Sequence, residues 1–184
     1  CGGGGERERD GGRAQLKEAG MGTVSLATEG ARTAAGEAGA ARQYATFYLD
    51  GFFFGIEVLQ VQEVLRYQEM TRVPLAPEVV EGLINLRGQI VTAIDMRKRL
   101  KLRPRPEGML PMSMVVRAAD GAVSLLVDEI GDVVEVDRES FERPPENLEG
   151  VARELIRGVY KLKDRLLLVL DTERAVEVGH GERG

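Results

Sequence analysis

Cysteine and histidine occur once each in this chain of 184 residues, and tryptophan does not occur at all. Cys1 and His180 both lie near the chain ends. An internal disulfide therefore cannot form, and a core zinc site or a Cys/His or Ser/His nucleophilic centre lacks its ligands or its base. No run approaches the roughly 18 apolar residues that a membrane-spanning helix needs. Basic surplus is missing too: 25 basic against 30 acidic residues give a formal charge of -5. General phosphate neutralisation, and with it nucleic-acid binding, is disfavoured. What is present, 43% hydrophobic and 30% charged residues, is the composition of an ordinary globular domain.

The chain starts Cys1-Gly2-Gly3-Gly4-Gly5 without methionine. This reads as a truncated reading frame rather than a mature lipoprotein, and the remainder reads as cytoplasmic. Residues 1–42 hold eleven of the 23 glycines and six residues of each charge, with no apolar period, and are expected to be a disordered Gly/Ala-rich tail. Composition shifts at Gln43. Tyr44 to Leu49 reads as a strand, Asp50-Gly51 as a two-residue hairpin turn, and Phe52 to Ile56 as the partner strand. Val58 to Leu65 reads as a short turn running into another strand, after which Pro74 and Pro77 interrupt any ladder. Residues 179–184 read as a flexible C-terminal tail.

An internal repeat organises the folded part, residues 43–178. Gly82 to Asp95 (GLINLRGQIVTAID) aligns without gaps on Gly158 to Asp171 (GVYKLKDRLLLVLD), and Asp50-Gly51 and Pro74 find counterparts in Asp120-Gly121 and Pro144. Ser113 to Ala119, Ala122 to Val127 and Val133 to Val136 add short strands. Closely spaced strands with Gly, Asp and Pro turns predict a mainly β fold of two small barrels. Each unit, about 65 residues, makes a thin core alone, so the two should fold as one body with a shared apolar seam and a groove beside it.

Asp95 and Asp171 occupy equivalent repeat positions, as a proton-sharing dyad would. Neither is followed by the glycine that closes such a loop, and both precede short helical patterns, Met96 to Leu100 and Thr172 to Val176, so helix capping is the preferred reading. Asp128, Glu129, Asp132, Glu135 and Asp137 lack the ligand order of a calcium loop and read as a solvated strand face. Arg97-Lys98-Arg99, Lys101, Arg103 and Arg105 read as a solvated helix end and loop. Glu63 and Arg87 are open to two readings, a surface salt bridge or a partner-binding site, because a planar guanidinium fixes orientation more than it stabilises.

Gly55-Ile56, Val61-Gln62-Glu63-Val64, Thr71-Arg72-Val73-Pro74, Gly82, Asn85-Leu86-Arg87-Gly88, Asp95 and Asp128-Glu129-Ile130 stand in an order that resembles the signature of the CheW family. The resemblance implies two SH3-like β-barrel subdomains in pseudo-twofold arrangement with short helices. It implies no enzyme activity and no cofactor. The implied role is that of a chemotaxis adaptor, recruited to receptor arrays at the inner face of the membrane without inserting into it. Its partners would be the regulatory domain of a CheA-type histidine kinase and the cytoplasmic tip of methyl-accepting chemoreceptors. Glu63 and Arg87 match the charged pair of receptor coupling, and Val61, Gly82, Asn85 and Gly88 match positions beside the receptor groove. No kinase-facing residue is assigned. The second repeat carries Lys161-Leu162-Lys163-Asp164 where the first has Asn85 to Gly88, so only the first copy should serve the receptor. Thr92-Ala93 also departs from the pattern, at a place where proline and an aliphatic residue are common. Two alternatives remain: the scaffold of a non-swimming signalling array, and a small-barrel nucleic-acid-binding module, for which aromatics are few.

Overall fold

The computed structural model describes residues 41–146 and 151–178. The two expected tails, the glycine-rich segment before residue 41 and the C-terminal segment from 179, lie outside the described residues. Arg42, assigned to the tail from composition, already belongs to the first strand.

Among the described residues, eleven strands and three short α-helices follow in chain order. The first half holds β1 (Arg42–Leu49), β2 (Phe52–Glu57), β3 (Val61–Leu65), β4 (Val80–Leu86), β5 (Gln89–Asp95) and α1 (Met96–Arg99). The second holds β6 (Met112–Ala118), β7 (Gly121–Val127), β8 (Glu129–Val136), β9 (Phe141–Glu142), α2 (Val151–Leu155), β10 (Ile156–Lys161), β11 (Leu166–Leu170) and α3 (Thr172–Val176). Between β2 and β3 lies the expected short turn, a 3₁₀ segment at Val58–Gln60. Asp50 and Gly51 have φ of 51° and 83°, the paired positive values of a type I′ hairpin, whose twist matches that of its strands.

The two sheets do not coincide with the two sequence repeats. One has the order β8-β1-β2-β11-β10-β9, the other β3-β6-β7-β5-β4. In each sheet the hairpin of one repeat is inserted between strands of the other. The joints are backbone ladders: β1 with β8 and β3 with β6 antiparallel, β2 with β11 and β5 with β7 parallel. Neither half could form a complete sheet alone, which gives the expected cooperativity a stronger cause than surface packing.

The inner strands β2, β6, β7 and β11 are covered on both faces, which is why they read as continuous apolar runs. One face of each sheet meets a common seam, where Phe47, Phe54, Ile94, Met114, Leu125 and Leu168 are buried together. The opposite face lines the interior of its own lobe: Tyr44, Phe53, Tyr160 and Val169 in the six-stranded sheet, and Ile84, Ala93 and Leu126 in the five-stranded sheet. Phe52, at the start of β2, is half exposed, while Phe53 and Phe54 are buried.

Gly82 and Gly158 show why the repeat keeps glycine. Each lies where a crossing segment runs against the strand: a Cβ on Gly82 would sit 2.7 Å from the Thr71 carbonyl oxygen, and one on Gly158 would sit 2.5 Å from that of Glu142. These crossing segments are themselves repeat equivalents, bridging Thr71 to Leu83 and pairing β9 with β10. The aspartates cap as the helical patterns implied. Asp95 Oδ1 accepts from the Arg97 and Lys98 amides at 2.8 and 3.3 Å, and Asp171 Oδ1 from the Arg174 amide at 3.2 Å.

Candidate functional site

The turn between β4 and β5 has only two residues, since Leu86 pairs with Gln89. Arg87 and Gly88 supply it with φ of 53° and 87°, the geometry of the Asp50-Gly51 turn. Asn85 secures it by accepting the Gly88 amide on Oδ1 at 2.9 Å. Asparagine, aspartate or glycine normally fills the first position of such a turn, because a Cβ in the left-handed region costs roughly 1–2 kcal/mol. An arginine is a poor choice here for folding.

Its side chain is 85% exposed and reaches Glu63 on β3, Nη2 to Oε2 being 3.3 Å. β3 and β4 are the opposite edges of the five-stranded sheet, so this contact spans the seam where the sheet curls upon itself. Glu63 and Val61 lie on the same half-buried face of β3, Val61 packing against the main core. An ion pair this exposed adds at most a fraction of a kcal/mol to about 1 kcal/mol of stability, so folding does not account for the strained turn. The inference runs from the observed backbone outlier toward recognition.

Of the six residues expected at the site, Glu63, Asn85, Arg87 and Gly88 thus meet at this turn, while Val61, two residues from Glu63 on β3, packs against the main core. Gly82 stands apart, three residues back along β4 and buried beneath the Thr71 carbonyl, and its glycine is explained by that close approach. Two cavities, of about 430 and 410 Å³, lie elsewhere, on the six-stranded sheet. The patch itself presents side chains outward.

The basic run requires a correction. Arg97, Arg103 and Arg105 are not simply solvated: they turn onto aspartates from three parts of the chain. Arg97 donates from Nε and Nη2 to the Asp128 carboxylate at 2.7–3.0 Å, and from Nη1 to the Arg103 and Pro104 carbonyls. Arg103 pairs with Asp50, and Arg105 bridges Asp95 and Asp128. The Asp50 amide also donates to Asp128, at 2.8 Å. Asp128, expected on a solvated face, has a side chain only 6% exposed, whereas Glu129 beside it is exposed. Burial alone would raise the Asp128 carboxyl, but hydrogen bonds from Arg97 and the Asp50 amide outweigh it and hold the group below the usual carboxylate range. Asp50 is held low as well, chiefly by Arg103. This network ties α1 to the β1–β2 turn and to the end of β7. Sequence reading missed it because charge runs are usually exposed, although the opposite charges of Arg97 and Asp128 were visible.

Fold and patch together define a class: a two-lobed β-barrel interaction domain, with an exposed charged turn set on a rigid frame. The CheW-like domain model matches residues 43–179. Chemotaxis protein CheW of Treponema pallidum is 31% identical over 136 residues, 72% of this chain and 80% of its own length. That of Bacillus subtilis is 31% identical over 131 residues, 71% and 84% of the respective chains. The crystal structure of the scaffolding protein TtCheW from Thermoanaerobacter tengcongensis superposes with a TM-score of 0.69 at 27% identity, covering 76% of this chain and 95% of that one. This chain belongs to the CheW-like domain family.

Proposed function

We propose that this chain is a chemotaxis-type signal transduction adaptor that couples chemoreceptors to a CheA-type histidine kinase, with Arg87 and Glu63 at the receptor contact. The observation that carries the site is Arg87 in a left-handed turn, extended and exposed, opposite a half-buried carboxylate. A receptor tip that offers a carboxylate to Arg87 would gain a charge-assisted, oriented hydrogen bond. Val61 and Asn85 flank that contact, and Gly88 allows the turn. The regulatory domain of the kinase would engage a separate surface. No bond is made or broken in this role. Coupling arises only if the adaptor's contacts differ between active and inactive arrangements of the kinase. The receptor array at the inner face of the membrane is the expected location, and no helix among the described residues is long and apolar enough to cross a membrane.

The test is a calorimetric titration of the full chain with the regulatory domain of a CheA-type kinase, followed by reconstitution with receptors. Saturable kinase binding is expected, and Arg87→Ala should retain it while losing receptor-dependent kinase control. Absence of kinase binding would overturn the adaptor role, and unchanged control in Arg87→Ala would overturn the site.

A further inference from the structure

At the end of the six-stranded sheet where β1 and β10 begin, a cavity of about 430 Å³ is walled by four arginines: Arg42, Arg153, Arg157 and Arg174. Three carboxylates, Glu57, Glu154 and Asp171, also line it, which leaves one positive charge in excess. The arginines are unequally engaged. Arg42 pairs with Glu57 at 3.2 Å, but Arg157 approaches Glu57 and Asp171 only to 3.9 Å, beyond hydrogen-bonding distance. Arg174 is 3.8 Å from Asp171 and donates from Nη1 to the Glu154 carbonyl at 3.3 Å, and no ion pair of Arg153 is found among the described residues. Asp171 meanwhile spends one oxygen capping α3.

Tyr44 forms part of the same wall. It is wholly buried, and its hydroxyl has the Arg42 guanidinium and the Tyr160 hydroxyl as polar neighbours but makes a well-formed hydrogen bond to neither. Buried polar groups are rarely left so. Guanidinium donors held loosely beside an unpaired hydroxyl make a receptor for an anion with several acceptor oxygens. A single carboxylate would compete poorly with three carboxylates already in place. A phosphate carries about −1.5 to −2 charges and three acceptor oxygens, enough to draw the loosely held guanidiniums inward.

We propose that this cavity binds a phosphate group, with Arg153, Arg157 and Arg174 as its charged donors and the Tyr44 hydroxyl as its buried one. Phe141, Ile156 and Val169 add an apolar flank where the carbon portion of a phosphate ester would rest. The volume lies in the range of small-molecule sites and exceeds what a free phosphate fills.

The experiment titrates the full chain with inorganic phosphate and with phenyl phosphate at constant ionic strength, read by calorimetry and by thermal unfolding against chloride. Saturable binding of either probe is expected, weakening below about pH 6 as the dianion protonates. Phenyl phosphate binding alone assigns the site to esterified phosphate. Arg157→Gln should lower affinity by about tenfold, the loss of one charge-assisted contact. Tyr44→Phe should also lower affinity while leaving the free protein at least as stable, since the hydroxyl it removes is unpaired. Arg165→Gln, at the other cavity, should leave binding unchanged. No saturation with either probe, an equal response to chloride, or binding that survives both Arg157→Gln and Tyr44→Phe would overturn the proposal.

Discussion

The hairpin between β4 and β5 and its repeat counterpart between β10 and β11 start from aligned sequences and end differently. The first closes in two residues with Arg87 in the left-handed region. The second pairs Lys161 with Leu166 and closes through a longer loop, with the Leu162 amide donating to the Arg165 carbonyl at 2.9 Å. The helices diverge likewise: Arg97 on α1 is buried among aspartates, while its counterpart on α3, Glu173, is exposed. The glycines and capping aspartates agree in both copies. Repetition therefore maintained the frame, and divergence is concentrated where charge is presented or buried.

Arg97→Ala should break this comparison most severely. It removes the guanidinium that Asp128 and Asp50 share, leaving Asp128 to Arg105 and Asp50 to Arg103, a loss of about 3 kcal/mol, the low end for a buried ionic group that loses a partner. Glu173→Ala should stay within about 0.5 kcal/mol. Denaturant unfolding of the two variants measures the contrast.

Acid should reveal the same network. Asp50 and Asp128 are held below their unfolded values, so their stabilisation is complete above about pH 4 and is lost as pH falls through the folded values. Wild-type stability should decline below that pH. Arg97→Met, which removes the guanidinium, should decline less steeply over the same range in parallel denaturant titrations.

Gly82→Ala and Gly158→Ala should each cost about 1–3 kcal/mol, because the new methyl group meets a backbone carbonyl. Similar losses in thermal unfolding would establish the two crossings as equivalent. A neutral result at either position would show that its crossing segment can shift.

The smallest stability change carries the sharpest functional contrast. Arg87→Asn should raise stability by up to about 1 kcal/mol, because asparagine tolerates the left-handed turn better. It should at the same time abolish receptor coupling. Lys163→Asn in the second copy should leave coupling unchanged, as measured by receptor-dependent kinase activity.

Local features were legible in the sequence because their causes are local. Asp50-Gly51 demanded a tight hairpin, Asp95 and Asp171 preceded helical patterns, and the paired glycines marked the repeat. Of the candidate site, the turn residues Asn85 to Gly88 and their charged partner Glu63 could be named. Gly82 could not be separated from them, since a glycine required by a passing carbonyl looks the same in sequence as one beside a binding groove. Arg97 and Asp128 were misplaced because exposure was inferred from charge density along the chain, whereas their partners come from distant segments.

By itself, the sequence determined the turns, the caps and the existence of two related halves. Only the tertiary structure decided that each half lends its hairpin to the other's sheet, and that a basic loop closes over buried aspartates. A strand's ladder groups are the same along every chain, so pairing is chosen by the packing of the whole body, which no local pattern records.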